Sequence, residues 1–243
     1  MLAVEEMLSI SINGEAYTIT MRSPGTEEDL VRGILLTEDV YRRHDPEPKF
    51  TVLNKNKRGD ITEINVLIPS DLLGEGIKSK RNLMSVTSCG MCGKQEAQLE
   101  LGPALENDTK ISASSVEKMF EKMKSEQELF DKSGGSHAAA AFCVDGKLLT
   151  VREDIGRHNA VDKVIGCLLR NKTLDKAHSL LVSGRVSYEI VSKAYKACIP
   201  ILAAVSAPSS MAAEVCQEVG ITLLAFCRGE KFTVYSHEER LVP

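Results

Sequence analysis

A chain of 243 residues with 43% hydrophobic and 26% charged residues has the composition of an ordinary globular protein, and its length suits one large domain or two small ones. Its 30 Lys+Arg against 34 Asp+Glu give a net charge of −4 with no long basic run, which argues against nucleic acid as the main partner. No window approaches the ~18 apolar residues of a membrane span, and the start carries Glu5 and Glu6 with no leading Lys or Arg, unlike a secretion signal. The expected compartment is the cytoplasm, with no membrane partner.

Leu8, Ile10 and Ile12 alternate with polar residues up to Asn13-Gly14, and Tyr17 and Ile19 continue the pattern, which predicts a hairpin whose two turn residues both need positive φ. Ser23-Pro24-Gly25 ends it, and Thr26 with Asp29 reads as a helix start of capping-box type leading into Leu30, Ile34 and Leu35. Residues 50–53 and 61–68 read as two further strands about a polar turn at Lys57–Asp60. Residues 69–88 read as loop with room for a short helix, and Ser112 or Ser114 opens an amphipathic helix with Val116, Met119, Phe120 and Met123 on one face.

From Gly134 strands alternate with helices. Ala140–Val144 and Leu148–Val151 flank an Asp145-Gly146 turn, and Asn159 reads as the cap of a helix carrying Val161, Val164, Ile165 and Leu168. Strands at Leu180–Ser183, Ile201–Ser206 and Ile221–Phe226 alternate with helices at Tyr188–Ala197 and Met211–Val219. This predicts an α/β fold with a largely parallel sheet covered on both faces, preceded by a smaller β-rich unit. The expected division is a β-rich unit over residues 1–70, a connector over 71–110, and an α/β domain over 111–243.

Of the seven cysteines, Cys143, Cys167, Cys198 and Cys216 sit in apolar runs and read as reduced core thiols. Cys89 and Cys92 do not. They stand in Ser88-Cys89-Gly90-Met91-Cys92-Gly93, on glycine-rich backbone between Lys78, Lys80, Arg81 and Lys94 with no acid nearby. A positive field favours thiolate over thiol, which makes both nucleophile candidates. Half of a zinc site is the ordinary alternative, but structural zinc takes four ligands and no second Cys or His pair accompanies this one. A thioredoxin-like dithiol would need a strand before it and a helix after it.

The loops that follow the predicted strands offer a second chemistry. Ser183-Gly184-Arg185, Ser206-Ala207-Pro208 and Phe226-Cys227-Arg228-Gly229-Glu230-Lys231 lie where open α/β sheets bind ligands. They combine hydroxyls, glycines for close approach, guanidinium groups and an aromatic ring able to stack on a base. Small residues and Arg cap many helices, but three such loops at corresponding positions point to a nucleotide or another phosphorylated ligand. Gly134-Gly135-Ser136-His137 and Arg152–Asn159 stand beside them; the charges of the second suit a solvated, salt-bridged turn as well as a site. His137-Ala138-Ala139 lacks the Glu of the zinc-deaminase His-x-Glu, and the Cys pair precedes the His, so deaminase chemistry has no acid/base here.

These motifs, in this order and together with the string from Arg152 to Lys163, resemble the FdhD/NarQ family of sulfur carriers required for active formate dehydrogenase. The resemblance implies a cytidine-deaminase-like three-layer α/β/α core and a homodimer. It implies a sulfurtransferase: Cys89 would take sulfur as a persulfide from a cysteine desulfurase and pass it to the molybdenum or tungsten bis(molybdopterin guanine dinucleotide) bound for formate dehydrogenase. Cys92 would be its partner, as activator, acceptor or resolving thiol. Phe226, Cys227, Arg228, Gly229, Glu230 and Lys231 would bind the guanine-nucleotide-bearing cofactor, or a GDP-like nucleotide, with Ser183, Gly184, Arg185, Ser206 and His137 completing the site and no resident metal. The competing function is a non-catalytic cofactor chaperone whose Cys pair binds metal or is structural.

Overall fold

The computed structural model describes residues 1–78 and 102–242. Cys89 and Cys92 lie outside the described residues.

Strands β1 (Glu6–Ile12) and β2 (Glu15–Arg22) form the expected hairpin. Its turn holds Asn13 at φ 52° and Gly14 at φ 85°, both in the left-handed region. Helix α1 (Glu27–Thr37) follows, then β3 (Lys49–Lys55) and β4 (Ile61–Leu67). The four strands make one sheet in the order β2-β1-β4-β3, with β1 and β4 parallel. Leu8, Ile10, Ile12, Ile64 and Val66 turn one face of it toward Leu30, Val31, Ile34 and Leu35 of α1. Thr26 precedes α1, but its hydroxyl makes no cap; it sits at φ 58° and its carbonyl accepts from Leu30 N.

The second unit starts with β5 (Ile111–Ser112), α2 (Ala113–Ser125) and the short α3 (Glu128–Ser133). Ser112 caps α2 by accepting from Ser115 N, as expected. A six-stranded sheet follows, built from β6 (His137–Phe142), β7 (Leu148–Asp154), β8 (Ser179–Val182), β9 (Ile201–Ala204), β10 (Thr222–Arg228) and β11 (Lys231–Ser236), in the order β11-β10-β9-β8-β6-β7. Helices α4 (Arg157–Arg170), α5 (Tyr188–Lys196) and α6 (Ser210–Val219) connect β7 to β8, β8 to β9 and β9 to β10. These four strands run in one direction, whereas β6 lies antiparallel between β7 and β8, and β11 antiparallel against β10. The sheet is therefore mixed: both departures are hairpins, where a tight turn dictates antiparallel pairing. A final strand, β12 (Leu241–Val242), pairs with β5.

Alternate residues of the strands face opposite layers. Ala139, Ala141, Leu180, Val182, Leu202 and Ala204 pack under α4, α5 and α6, while Ala138, Ala140, Phe142, Leu181, Ile201 and Ala203 pack on Val116, Met119 and Met123 of α2. Helix α4 begins at Gly156, not at Asn159, whose side-chain amide donates to Met21 O at 2.8 Å and to Asp154 Oδ1 at 3.1 Å. α1 crosses α4 where neither helix has a side chain: a Cβ on Gly33 would stand 1.9 Å from Asp162 O, and one on Gly166 1.8 Å from Asp29 O. Among the described residues no helix is long and apolar enough to cross a membrane.

Candidate functional site

Strands β7, β8, β9 and β10 all end at one edge of the sheet, and the antiparallel β6 begins there. Register places His137 of β6 beside Gly184, the residue two past the end of β8. Ser183 prolongs the pairing, its N donating to Ala138 O at 3.0 Å and its Oγ accepting from Ala138 N at 2.9 Å. The loops after β8 and β9 then run together, Val186 N donating to Ala207 O at 3.1 Å and Ser209 N to Val186 O at 2.9 Å. Phe226 N donates to Ser206 O at 3.4 Å. His137, Ser183, Gly184, Arg185, Ser206 and the segment Phe226–Lys231 thus lie along one edge, in neighbouring strands or the loops that extend them.

The last segment is not the loop its composition suggested. β10 continues through Arg228 and turns at Gly229-Glu230 into β11, with Arg228 paired to Lys231. The alternation of Phe232 and Val234 with Lys231, Thr233 and Tyr235 carries the signal for the second strand. A bulge between Ala225 and Arg228 puts Phe226 at φ 55° with the residue 41% exposed, and turns Cys227 inward at 4% exposure. Burial pushes the Cys227 thiol up to about 11, and that of Cys216 up to about 12, so neither is a thiolate at neutral pH. Cys167 is also buried, whereas Cys143 is half-buried and Cys198 is exposed at φ 56°; the last two are not core thiols.

Several basic side chains of the edge stand outside any ion pair, although Glu230 lies between Arg228 and Lys231 and a Cβ on Gly229 would stand 3.3 Å from Glu117 Oε1. Among the described residues Arg157, Arg185, Arg228 and Lys231 make no ion pair, whereas Arg22, Arg43, Arg152 and Arg170 each bond a carboxylate. Helices α4, α5 and α6 point their amino-terminal ends at the same edge, adding partial positive charge. Burial, with help from Arg157 and Arg185, pushes the His137 imidazole down from its usual range, against the pull of Asp154. Arg157 is a residue that local sequence reasoning did not single out as a binder; its position at the first turn of α4 is the signal that was available.

The string from Arg152 to Lys163 is not a solvated turn. Asp154 and Lys163 form a fully buried ion pair at 2.7 Å. Asp154 also accepts from Ser23 N at 3.1 Å and Gly156 N at 2.8 Å, and Lys163 donates to Ser23 O at 2.9 Å. Glu153 accepts from the backbone of Leu129 and Phe130 and from Ser136 Oγ. Arg152 bonds Asp29 at 2.9 Å, and Asp162 bonds Lys193 at 2.8 Å and Thr37 Oγ1 at 2.9 Å. Burial pushes the Asp162 carboxyl up, and these two partners pull it back. The string therefore ties α1 and the first sheet to the second unit and sets the place from which Arg157 and His158 emerge.

Among the described residues no three His, Cys, Asp or Glu side chains gather as metal ligands. A cavity of about 190 Å3 lies at the opposite edge of the sheet, beside Ser112, Ser115, Cys143, Ser179 and Ile201.

The model of the FdhD/NarQ family matches residues 3–242. The chain belongs to this family. Its FdhD relatives include a protein of Mycolicibacterium paratuberculosis, 41% identical over 99% of this chain and 91% of the relative, and one of Sulfolobus acidocaldarius, 41% identical over 99% and 90%. Both are named sulfur carrier proteins. The fold matches that of a crystal structure from Desulfotalea psychrophila, described as a formate dehydrogenase accessory protein, with a TM-score of 0.75 at 23% identity over 99% of this chain and 90% of that one.

Proposed function

We propose that this FdhD/NarQ protein carries sulfur for the maturation of formate dehydrogenase, with Cys89 as the carrying thiol and the basic sheet edge as the seat of the acceptor. The thiolate of Cys89 attacks the outer sulfur of a cysteine desulfurase persulfide, the S–S bond of the donor breaks, and the desulfurase cysteine leaves as thiolate. The acceptor would be a molybdenum or tungsten cofactor bearing guanine nucleotides, strongly anionic, which Arg185, Arg228 and Lys231 would hold and on whose base the exposed Phe226 would stack; the transfer would break the S–S bond at Cys89, return Cys89 as thiolate, and draw from the metal the two electrons that turn the sulfur into sulfide. The observation that carries this reading is the row of Arg157, Arg185, Arg228 and Lys231, outside any ion pair among the described residues, along one sheet edge of a chain whose relatives are named sulfur carriers.

The same reading includes a cytidine-deaminase-like three-layer α/β/α core for the second unit, a division at residues 70 and 110, a homodimer and a cytoplasmic setting. Cys92 accompanies Cys89 as activator, acceptor or resolving thiol. The test is Cys89→Ala: maturation of formate dehydrogenase is lost while the thermal unfolding curve is unchanged. Normal maturation by that variant, or stoichiometric zinc on the purified protein with no desulfurase-derived sulfur on Cys89, overturns the mechanism.

A further inference from the structure

The cavity at the far edge of the six-stranded sheet lies where β8 and β9 begin, beside the amino end of α2 and the turn from β6 to β7. Its volume is about 190 Å3. A dry apolar cavity of roughly 150 Å3 holds benzene, and pockets for larger ligands start near about 300 Å3. This one therefore suits a molecule of about six heavy atoms. Its walls are of two kinds. Met119, Val144 and Ile201 give an apolar side, Thr109, Lys110 and Ser179 a polar one, and among the described residues no Asp or Glu lines it.

The polar side has donors to spare. Strand alternation turns Ser179 to the same side of the sheet as Leu181, which packs with Met119 of α2, so the Ser179 hydroxyl is directed into the cavity. Ser179 is only 3% exposed, yet among the described residues its Oγ makes no hydrogen bond. Buried hydroxyls are ordinarily paired, and this one has only the cavity before it. Lys110 makes no ion pair among the described residues: its Nζ donates to Glu239 O at 2.8 Å, while the Glu239 carboxylate bonds His237 at 2.9 Å. α2 sets its amino end beside the same space through Ser112 and Ser115, adding partial positive charge.

We propose that this cavity binds a small monocarboxylate, its carboxylate held by the Ser179 hydroxyl and the Lys110 ammonium at the amino end of α2, its short hydrocarbon tail against Met119, Val144 and Ile201. Charge sets the sign of the ligand, since a cation would meet Lys110 and the helix end with no acid to hold it. Volume sets its length, at about four carbons. The site stands apart from the basic edge, and its occupancy requires neither Cys89 nor an acceptor there. Cys143, half-buried, lines the same space, so a bound carboxylate covers its thiol and gives occupancy a chemical readout.

The experiment titrates butyrate and its neutral isostere butyramide into the full chain. The backbone amides of Ser115, Cys143 and Ser179 are followed by NMR, and iodoacetamide labelling of each cysteine is read by peptide mass spectrometry. Butyrate shifts those amides saturably and slows alkylation of Cys143, while the exposed Cys198 reacts at the same rate throughout. Butyramide binds about fivefold more weakly or worse. Lys110→Gln, at an exposed position, brings butyrate down to the affinity of butyramide, and Ser179→Ala weakens butyrate by about fivefold. The proposal is overturned by the absence of a saturable shift, by equal affinity for butyramide, or by an unprotected Cys143 at saturation. Wild-type affinity for butyrate in Lys110→Gln or Ser179→Ala overturns it as well. Should Ser179→Ala fail to fold, Lys110→Gln decides.

Discussion

His137 shows how a single side chain records its surroundings. It opens β6, half-buried, and burial, with the charges of Arg157 and Arg185, holds its imidazole below the ordinary range against the pull of Asp154. The unfolded chain therefore binds a proton as pH falls through about 6.5, while the folded chain does not until lower pH. Stability rises with pH across that window and is lost as pH falls through it. Unfolding in urea at pH 7.5 and at pH 5.5 should show a drop at the lower pH that is smaller in His137→Gln; an equal drop would mean that other groups carry it. Phe226 is a different kind of record. An aromatic residue in the left-handed region is uncommon and costs on the order of 1 kcal/mol, and such strain gathers at functional positions.

At the scale of elements, local pattern was readable and direction was not. The Asn13-Gly14 hairpin, the amphipathic α2 with its Ser112 cap, and the alternation of strands with α4, α5 and α6 follow from periodicity and turn chemistry. So does the gathering of Ser183, Arg185 and Ser206 at one edge, because a strand followed by a helix always delivers its loop there. The insertion of β6 between β7 and β8 was not readable, since pairing partners are chosen by the packing of the whole sheet. β11 carries its own signal in the alternation of Phe232 and Val234 with polar residues, while the glycine and charges before it read as loop. The crossing of α1 and α4 also depends on residues far apart in sequence, Gly33 and Gly166. Gly166→Ala would drive a methyl group into the backbone of α1. The two helices must separate, at a cost of about 3 kcal/mol or more, which thermal unfolding would register as a fall in Tm of roughly 6 to 12 °C for a chain of this size. A change under 2 °C would show that the helices can slide apart freely.

At the scale of the molecule, the charges between Arg152 and Lys163 join two units that local sequence reading treats separately. Their partners, Ser23, Asp29 and Thr37, lie more than a hundred residues earlier, so composition alone gave no sign that these groups were buried. Lys163→Met would leave Asp154 buried without its counter-charge. Removing one member of a buried pair costs about 3–5 kcal/mol, so thermal unfolding should fall by about 6 to 20 °C, and Asp154→Asn combined with Lys163→Met should recover part of it. No recovery in the double variant would place the loss in packing and not in charge.

The tie between Ser23 and the start of α4 has one more result. Ser23 grips both sides of the step from β7 into the helix: its amide meets Asp154, and its hydroxyl accepts from the amide of Ile155, two residues before Arg157. The first sheet is thereby a brace behind the start of α4. A protein that took hold of that sheet from outside would tug on the footing of Arg157 without ever touching the ligand.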